Sequence, residues 1–372
     1  MSNKQTELIR VLQSTGALNM GGAETMIMNV YREIDKSSIQ FDFVVAGYET
    51  GYYESEATEL GAHIHHITKR SDSLFHNLKD FYCVVKNNKY QIIHFHTQNA
   101  FLTVTQVIAA RLAGARKIIV HSHSTQDWRS DILKKLHKLF RPVLNGLTTV
   151  KLSCGEEAAL WLYGTNKNVQ IIPNPVACDN YTYSYDQYCA FRKENGINLD
   201  ATIYAHTGRF VEVKNHVFLI DLFYELYHED NNSILFLMGD GELKEAIQKK
   251  VVDLGLESNV VFWGNINDVN KKLIMADAFL FPSKYEGFPN VVLEAQAAGL
   301  PCFVSDTVTS KVAITDLVMF FSIEDNPQNI CTTVRNIMTD RTSERASYNK
   351  IVRKQYDVSA VTDRLKRIYR EE

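Results

Sequence analysis

The 372-residue chain, with 45% apolar and 22% charged residues and no excess of Gly (18) or Pro (7), is long enough for two cores of ordinary domain size. Its composition excludes disordered, collagenous and low-complexity proteins, and its net charge of −3 excludes a general field drawing the whole molecule to nucleic acid. Residues 1–178 nonetheless carry 19 Lys+Arg against 15 Asp+Glu, a local excess that suits an anionic partner or surface.

In chain order, apolar β-rich runs alternate with helical periodicity, the pattern of parallel strands joined by crossover helices. Strands are expected at Glu7–Gln13, Phe41–Ala46, His63–Ile67, Ile92–Phe95, Lys117–Val120, Thr148–Ser153 and Val169–Ile172. After the first strand, Gly21 and Gly22 precede a helix whose apolar stripe runs through Met26, Ile27, Val30, Tyr31 and Ile34. A basic amphipathic helix is expected over 131–145, and its apolar face suits either the sheet or an anionic membrane surface. The rhythm lapses over 179–200, the expected linker. It resumes with strands at Thr202–Thr207, Ser233–Met238, Val260–Trp263, Ala278–Pro282, Cys302–Ser305 and Val318–Ser322. The expected layout is therefore 1–178, a linker, 201–342, and a charged helical segment over 343–372 packing across the linker. No stretch reaches the roughly 20 apolar residues of a membrane span, and no leader is evident, so the expected location is the cytoplasm or the inner face of the cell membrane. Six scattered cysteines without a CxxC pair suit reduced thiols better than disulfides or a zinc site.

Ligands in open parallel sheets bind at the carboxyl ends of strands, and four groups of residues fall there. Gly21-Gly22 forms either an anion-accepting loop before a helix start or a tight strand-to-helix turn. Arg209 and Lys214, beyond the strand ending at Thr207, offer a planar donor fork and a compact charge suited to a diphosphate, or are merely solvated. Glu286 and Glu294 flank a loop-to-helix boundary containing Phe288, Pro289 and Asn290; acceptor-only carboxylates suit vicinal sugar hydroxyls. The histidine pairs His94/His96 and His121/His123 follow two neighbouring strands. They lack Cys or acidic companions, so no metal is expected.

Taken together, Gly21-Gly22-Ala23-Glu24, Ile172-Pro173-Asn174-Pro175, Gly208-Arg209-Phe210 with Lys214, Met238-Gly239-Asp240-Gly241-Glu242, Val260 to Gly264, and Glu286-x7-Glu294 before Gly299-Leu300-Pro301 resemble glycosyltransferase family 4, as found in bacterial capsular and exopolysaccharide synthesis. The resemblance covers nearly the whole chain. It implies an α/β protein of GT-B fold, two Rossmann-like doubly wound parallel-sheet domains facing a cleft. It also implies a retaining enzyme that moves a sugar from a UDP-linked donor to a glycan or lipid-linked acceptor. By position, Arg209 and Lys214 would grip the donor diphosphate, Glu286 would meet the hydroxyls of the transferred sugar, and Glu294 would hold the ribose. The Gly21-Gly22 loop would frame the diphosphate and acceptor, while Gly239, Gly264 and Asn265 would contact the nucleoside. His123, in preference to His121, would lie near the anomeric carbon, His96 would line the acceptor pocket, and residues between His121 and Asp131 would govern acceptor choice.

No Asp-x-Asp occurs in the chain, so a metal-independent reaction without a cofactor is expected, the leaving charge being met by Arg209, Lys214 and helix amino termini. Because no first-domain carboxylate nucleophile is evident, front-face attack assisted by the departing phosphate is the expected course. The rival readings are a non-catalytic sugar-nucleotide-binding subunit, an epimerase or phosphorylase of the same architecture, and an oxidoreductase. For the last, Gly239-Asp240-Gly241 lacks the third glycine of the dinucleotide fingerprint.

Overall fold

The computed structural model describes residues 8–124, 131–286, 288–338 and 344–371. The chain divides into two units, the first made of Met1–Pro175 and Val358–Glu372, the second of Val176–Asp357.

Unit 1 holds strands β1 (Ile9–Ser14), β2 (Ile39–Ala46), β3 (Ile64–Ile67), β4 (Ile92–Thr97), β5 (Lys117–Ser122), β6 (Val150–Ser153) and β7 (Val169–Ile171). Between them run helices α1 (Gly22–Glu33), α2 (Glu54–Glu59), α3 (Leu74–Asn87), α4 (Ala100–Leu112), α5 (Asp131–Leu147) and α6 (Glu156–Tyr163). The strands pair in the order β3-β2-β1-β4-β5-β6-β7, every pairing parallel. Alternation along each strand splits the core in two. Val11, Phe41, Phe43, Val45 and Ile119 face helix α1, whereas Leu12, Val44, Ile93, Phe95, Ile118 and Val120 face α3, α4 and α6. Burial on both faces is why these strands read as continuous apolar runs.

Unit 2 begins with a short 3-10 turn at Cys178–Tyr181 and helix α7 (Tyr185–Glu194). Strands β8 (Thr202–Thr207), β9 (Ser233–Met238), β10 (Val260–Gly264), β11 (Ala278–Phe281), β12 (Cys302–Ser305) and β13 (Val318–Phe321) follow. They alternate with α8 (His216–Glu229), α9 (Lys244–Asp253), α10 (Val269–Met275), α11 (Asn290–Ala297), α12 (Pro327–Ile337) and α13 (Arg345–Tyr356). The order is β10-β9-β8-β11-β12-β13, again wholly parallel. The chain then returns to unit 1, where α14 (Val358–Arg370) buries Val361, Leu365, Ile368 and Tyr369 on the α1 side of the first sheet. In each sheet the strand order reverses once, between β1 and β4 and between β8 and β11. Such reversals open the crevice where ligands of doubly wound sheets bind.

The layout corrects the expected boundaries. Residues 179–200 are not a linker: Arg192, fully buried, donates to the carbonyls of Met275, Asn198, Leu199 and Ala201 and pairs with Asp277 at 2.5 Å, fastening α7 into unit 2. The unit boundary lies instead after Pro175. The carboxyl-terminal segment is two helices, with α13 in unit 2 and α14 in unit 1, because Arg345 is buried against the carbonyls of Ala276 and Ala298 while Tyr369 is buried beneath β1 and β4. Residues 1–7, including Glu7 of the first expected strand, 339–343 and 372 lie outside the described residues.

Candidate functional site

In unit 2 the expected donor-site residues gather beyond β8, β9 and β11. The loop after β8 is held by backbone bonds from Gly208 N–H to the Met238 carbonyl (2.9 Å) and from Phe210 N–H to that of Asp240 (3.1 Å). A 3-10 turn over Glu212–Lys214 and a left-handed Asn215 (φ +55°) then aim the chain into α8. This turn brings the Lys214 ammonium to 2.5 Å from the Glu286 carboxylate, the two side chains being 16% and 23% exposed, and 4.8 Å from the ring centre of Phe281. A partly buried, close ion pair is stronger than a surface one. Arg209 is exposed and, among the described residues, its guanidinium has no hydrogen-bond or ion-pair partner. Beneath this pair His206 and His216 are buried; burial, reinforced by Lys214, holds His216 neutral, its pKa lowered to about 4.

Glu286 bridges to Val308 through backbone pairing, Phe288 stacks on Tyr356 at 5.9 Å, and Pro289 is the amino-terminal cap residue of α11. Gly287 lies outside the described residues. Among the described residues no side chain caps α11, which leaves N–H groups at its start open to an anion. Glu294, one turn further on, is partly exposed; burial of its carboxyl raises its pKa, opposed by a hydrogen bond from Tyr181. Tyr181 lies in the 3-10 turn Cys178–Tyr181, far from any strand end, so no motif in the sequence marks it as a neighbour of Glu294.

The glycines at the ends of β9 and β10 have structural work of their own. Gly239 (φ +134°) packs so closely on the Gly208 carbonyl that a Cβ would overlap it, and its N–H donates to the Gly264 carbonyl at 2.8 Å. The structure does not bring Gly239, Gly264 or Asn265 onto the Lys214–Glu286 pair through any hydrogen bond among the described residues.

In unit 1 a cavity of about 590 Å3 opens at the carboxyl ends of β1 to β4, lined among others by Gly22, Glu24, His96, Gln98, His123 and Asn174. Glu24 accepts a hydrogen bond from Thr15 (3.0 Å) and folds its carboxylate back over Gly21. Among the described residues α1 has no side-chain cap. Glu24 places a carboxylate in the cavity wall, although in the sequence it is only the last residue of the Gly21-Gly22-Ala23-Glu24 motif.

In-register pairing of β4 with β5 sets His96 beside His121, and four imidazoles cluster on one face. His96 Nδ1 lies 2.9 Å from His123 Nε2 and His96 Nε2 lies 2.8 Å from Gln13 Oε1. His94 Nδ1 meets the Tyr369 hydroxyl at 2.8 Å, and His121 Nε2 meets the Ile172 carbonyl at 3.2 Å. Burial pushes all four pKa values down, that of His123 to about 4 with the Asn174 amide opposing the shift, so the cluster is neutral near pH 7. His123 lines the cavity and His121 does not. Ring nitrogens of His94, His96 and His121 come within 4.8 Å of one another. Both nitrogens of His96 are already hydrogen-bonded, leaving fewer free nitrogens than the three or four protein ligands a zinc ion takes. Residues 125–130, most of the segment expected to govern acceptor choice, lie outside the described residues.

Helix α5 buries only His137 and Leu144, while Phe140 packs on Phe101 of α4. Ile132 and Leu139 are 71% and 69% exposed, beside exposed Lys135 and Lys138, so half of its apolar face is not spent on the fold. Among the described residues no helix is long and apolar enough to cross a membrane.

Comparison with known proteins agrees with this geometry. Residues 20–180 match the family model Glycosyltransferase Family 4 and residues 189–355 match Glycosyl transferases group 1. A Bacillus subtilis (strain 168) protein assigned as the glycosyltransferase EpsF is 34% identical over 316 residues, 82% of this chain and 80% of its own length. The UDP-Gal:alpha-D-GlcNAc-diphosphoundecaprenol alpha-1,3-galactosyltransferase of Escherichia coli is 27% identical over 69% of each chain. Among solved structures, Anabaena Alr3699/HepE in complex with UDP superposes with a TM-score of 0.78 at 15% identity, covering 97% of this chain and 98% of that one. The chain is thus a glycosyltransferase of GT-B fold and belongs to glycosyltransferase family 4.

Proposed function

We propose that this glycosyltransferase moves a sugar, with retention and without a metal, from a UDP-linked donor to a glycan or lipid-linked acceptor in cell-surface polysaccharide synthesis. The observation that carries the reading is the Lys214–Glu286 pair at 2.5 Å beside the uncapped start of α11. It supplies, at one strand end, a cation for a diphosphate and a carboxylate for the sugar attached to it. Lys214 and Arg209 bind the diphosphate and meet the charge that develops as the sugar–oxygen bond breaks. Glu286 accepts hydrogen bonds from the transferred sugar and Glu294 from the ribose. The acceptor hydroxyl then bonds the anomeric carbon on the face the diphosphate leaves, and its proton passes to the departing phosphate oxygen. The unit 1 cavity, walled by Glu24, Gln98, His123 and Asn174, takes the acceptor. A relative whose name specifies UDP-Gal and a diphosphoundecaprenol-linked sugar supports both the UDP and the lipid-linked assignments. The exposed apolar and basic face of α5 suits peripheral contact with an anionic membrane, and the site of action is then the membrane's inner face.

The test is sugar transfer, and donor hydrolysis, from a panel of nucleotide sugars by the wild type and Glu286→Ala in EDTA. Turnover by the wild type that Glu286→Ala abolishes while UDP binding survives is the expected result. Turnover unaffected by the substitution, or requiring magnesium, contradicts the reading.

A further inference from the structure

Glu294 sits where α11 runs past the 3-10 turn Cys178–Tyr181, and the turn is fastened in place. The Cys178 N–H donates to the Asp357 carboxylate (3.2 Å), and the buried Asn349 amide donates both to the Cys178 carbonyl (2.7 Å) and to the Ala297 carbonyl of α11 (3.2 Å). One side chain thus ties the turn to the helix that carries Glu294. The Tyr181 ring joins the core that also holds Val292, Leu293 and Ala295 of α11, and its hydroxyl hydrogen-bonds to the Glu294 carboxyl. A phenylalanine would fill the same space, so the hydroxyl is the part of Tyr181 that the core does not need.

The bond has one direction. Burial and the neighbouring carboxylate push the Tyr181 phenol well above its usual pKa, so it keeps its proton and donates. Burial alone would favour a neutral Glu294, and the bond from Tyr181 works against that, towards the ionised form that only accepts. A carboxylate offers about four lone-pair sites on its two oxygens. Among the described residues no side chain other than Tyr181 hydrogen-bonds or ion-pairs with Glu294, which leaves acceptor capacity for two vicinal hydroxyls.

Resting on the ribose role given to Glu294 above, we propose that Tyr181 is a positioning residue for the donor's nucleoside: it holds the Glu294 carboxylate so that both ribose hydroxyls donate to it, and so makes the site select a ribonucleotide over its 2′-deoxy counterpart. An acceptor held in place does not turn to another donor when a hydroxyl is missing. It is left unpaired, and that penalty is what rejects the analogue. A carboxylate free to rotate would recover part of the loss and discriminate less.

Calorimetric titration of the full chain with UDP and with 2′-deoxy-UDP tests this. The wild type should bind UDP about tenfold more tightly than 2′-deoxy-UDP, the scale of one hydrogen bond to a charged group. In Tyr181→Phe the ratio should fall to about threefold or less, mainly through weaker UDP binding, and in Glu294→Ala to about one. Adding Tyr181→Phe to Glu294→Ala should change the ratio no further. Should Tyr181→Phe not fold in thermal denaturation, Tyr181→Met replaces it, with the same fall expected. A folded variant that keeps the wild-type ratio, or that weakens both ligands equally as lost packing would, overturns the proposal, and so does a wild type without the preference. If Glu294→Ala keeps the wild-type ratio, the ribose assignment itself fails. A ratio lost in Glu294→Ala but kept in Tyr181→Phe refutes the role of Tyr181 alone.

Discussion

The carboxyl ends of the two sheets carry polar groups of opposite character. Unit 2 presents charge: an exposed Arg209, the Lys214–Glu286 pair before a helix start that no side chain caps among the described residues, and, one turn into that helix, the Glu294 carboxyl. Unit 1 presents a neutral network, four imidazoles tied to Gln13, Tyr369 and the Ile172 carbonyl, with the Glu24 carboxylate at its edge. On the proposed reading the difference follows from the two substrates. A nucleoside diphosphate is recognised by charge and must be stabilised as it leaves. A sugar hydroxyl carries no charge and is recognised by neutral hydrogen-bonding groups.

The comparison can be broken first at its charged end. Glu286→Ala should cost sugar transfer about 100- to 1,000-fold, the scale of a lost group that acts on the reacting centre, with UDP affinity within about threefold of the wild type in calorimetry. A second test addresses the neutral network through acid. His123 is depressed from 6.5 to about 4, so the folded state resists a proton that the unfolded chain accepts. Its contribution is fully present above pH 6.5 and is lost as pH falls towards 4, about 3 kcal/mol for this residue alone at 1.36 kcal/mol per pKa unit. His94, His96 and His121 shift the same way. Urea unfolding at stepped pH should therefore show stability falling steeply over that window; a flat profile would mean the imidazoles are solvated.

Smaller effects sharpen the contrast. Lys214→Ala should weaken UDP binding by about 1–3 kcal/mol, whereas His96→Ala should leave it unchanged. Gly239→Ala, in a left-handed backbone against the Gly208 carbonyl, should destabilise the fold by about 1–3 kcal/mol. Gly155→Ala, with nothing within 4 Å, should be nearly neutral in thermal denaturation. Smallest for stability is Leu139→Asp on the exposed face of α5, a change within about 0.5 kcal/mol. The same substitution should reduce binding to vesicles containing anionic lipid, and equal binding by both proteins would remove the membrane from the account.

Much of the fold was legible along the chain. The runs at Thr202–Thr207, Ser233–Met238 and Cys302–Ser305 are strands with those bounds, because strands buried on both faces announce themselves locally. The residues proposed for the donor side stand out for a similar reason: Lys214 and Glu286 each sit just past a strand end within a short motif. What escaped depended on distant partners. Arg192 looks like a solvated charge until the carbonyls of Met275 and Ala201 surround it. The histidine pairs were visible, but not the register that sets His96 beside His121, nor Gln13 and Tyr369, which lie 356 residues apart in sequence and meet at 3.4 Å. Likewise the amphipathic pattern of α5 did not reveal which apolar residues α4 would cover.

The central claim is that unit 2 holds a nucleoside diphosphate through Lys214 and Arg209 without a metal. Calorimetric titration of the wild type and Lys214→Ala with UDP, GDP, ADP and NAD, in EDTA and then with magnesium, tests it directly. The account predicts selective binding of UDP in EDTA, little changed by magnesium and weakened in Lys214→Ala. Binding of NAD alone, strict dependence on magnesium, or equal affinity in Lys214→Ala would contradict it.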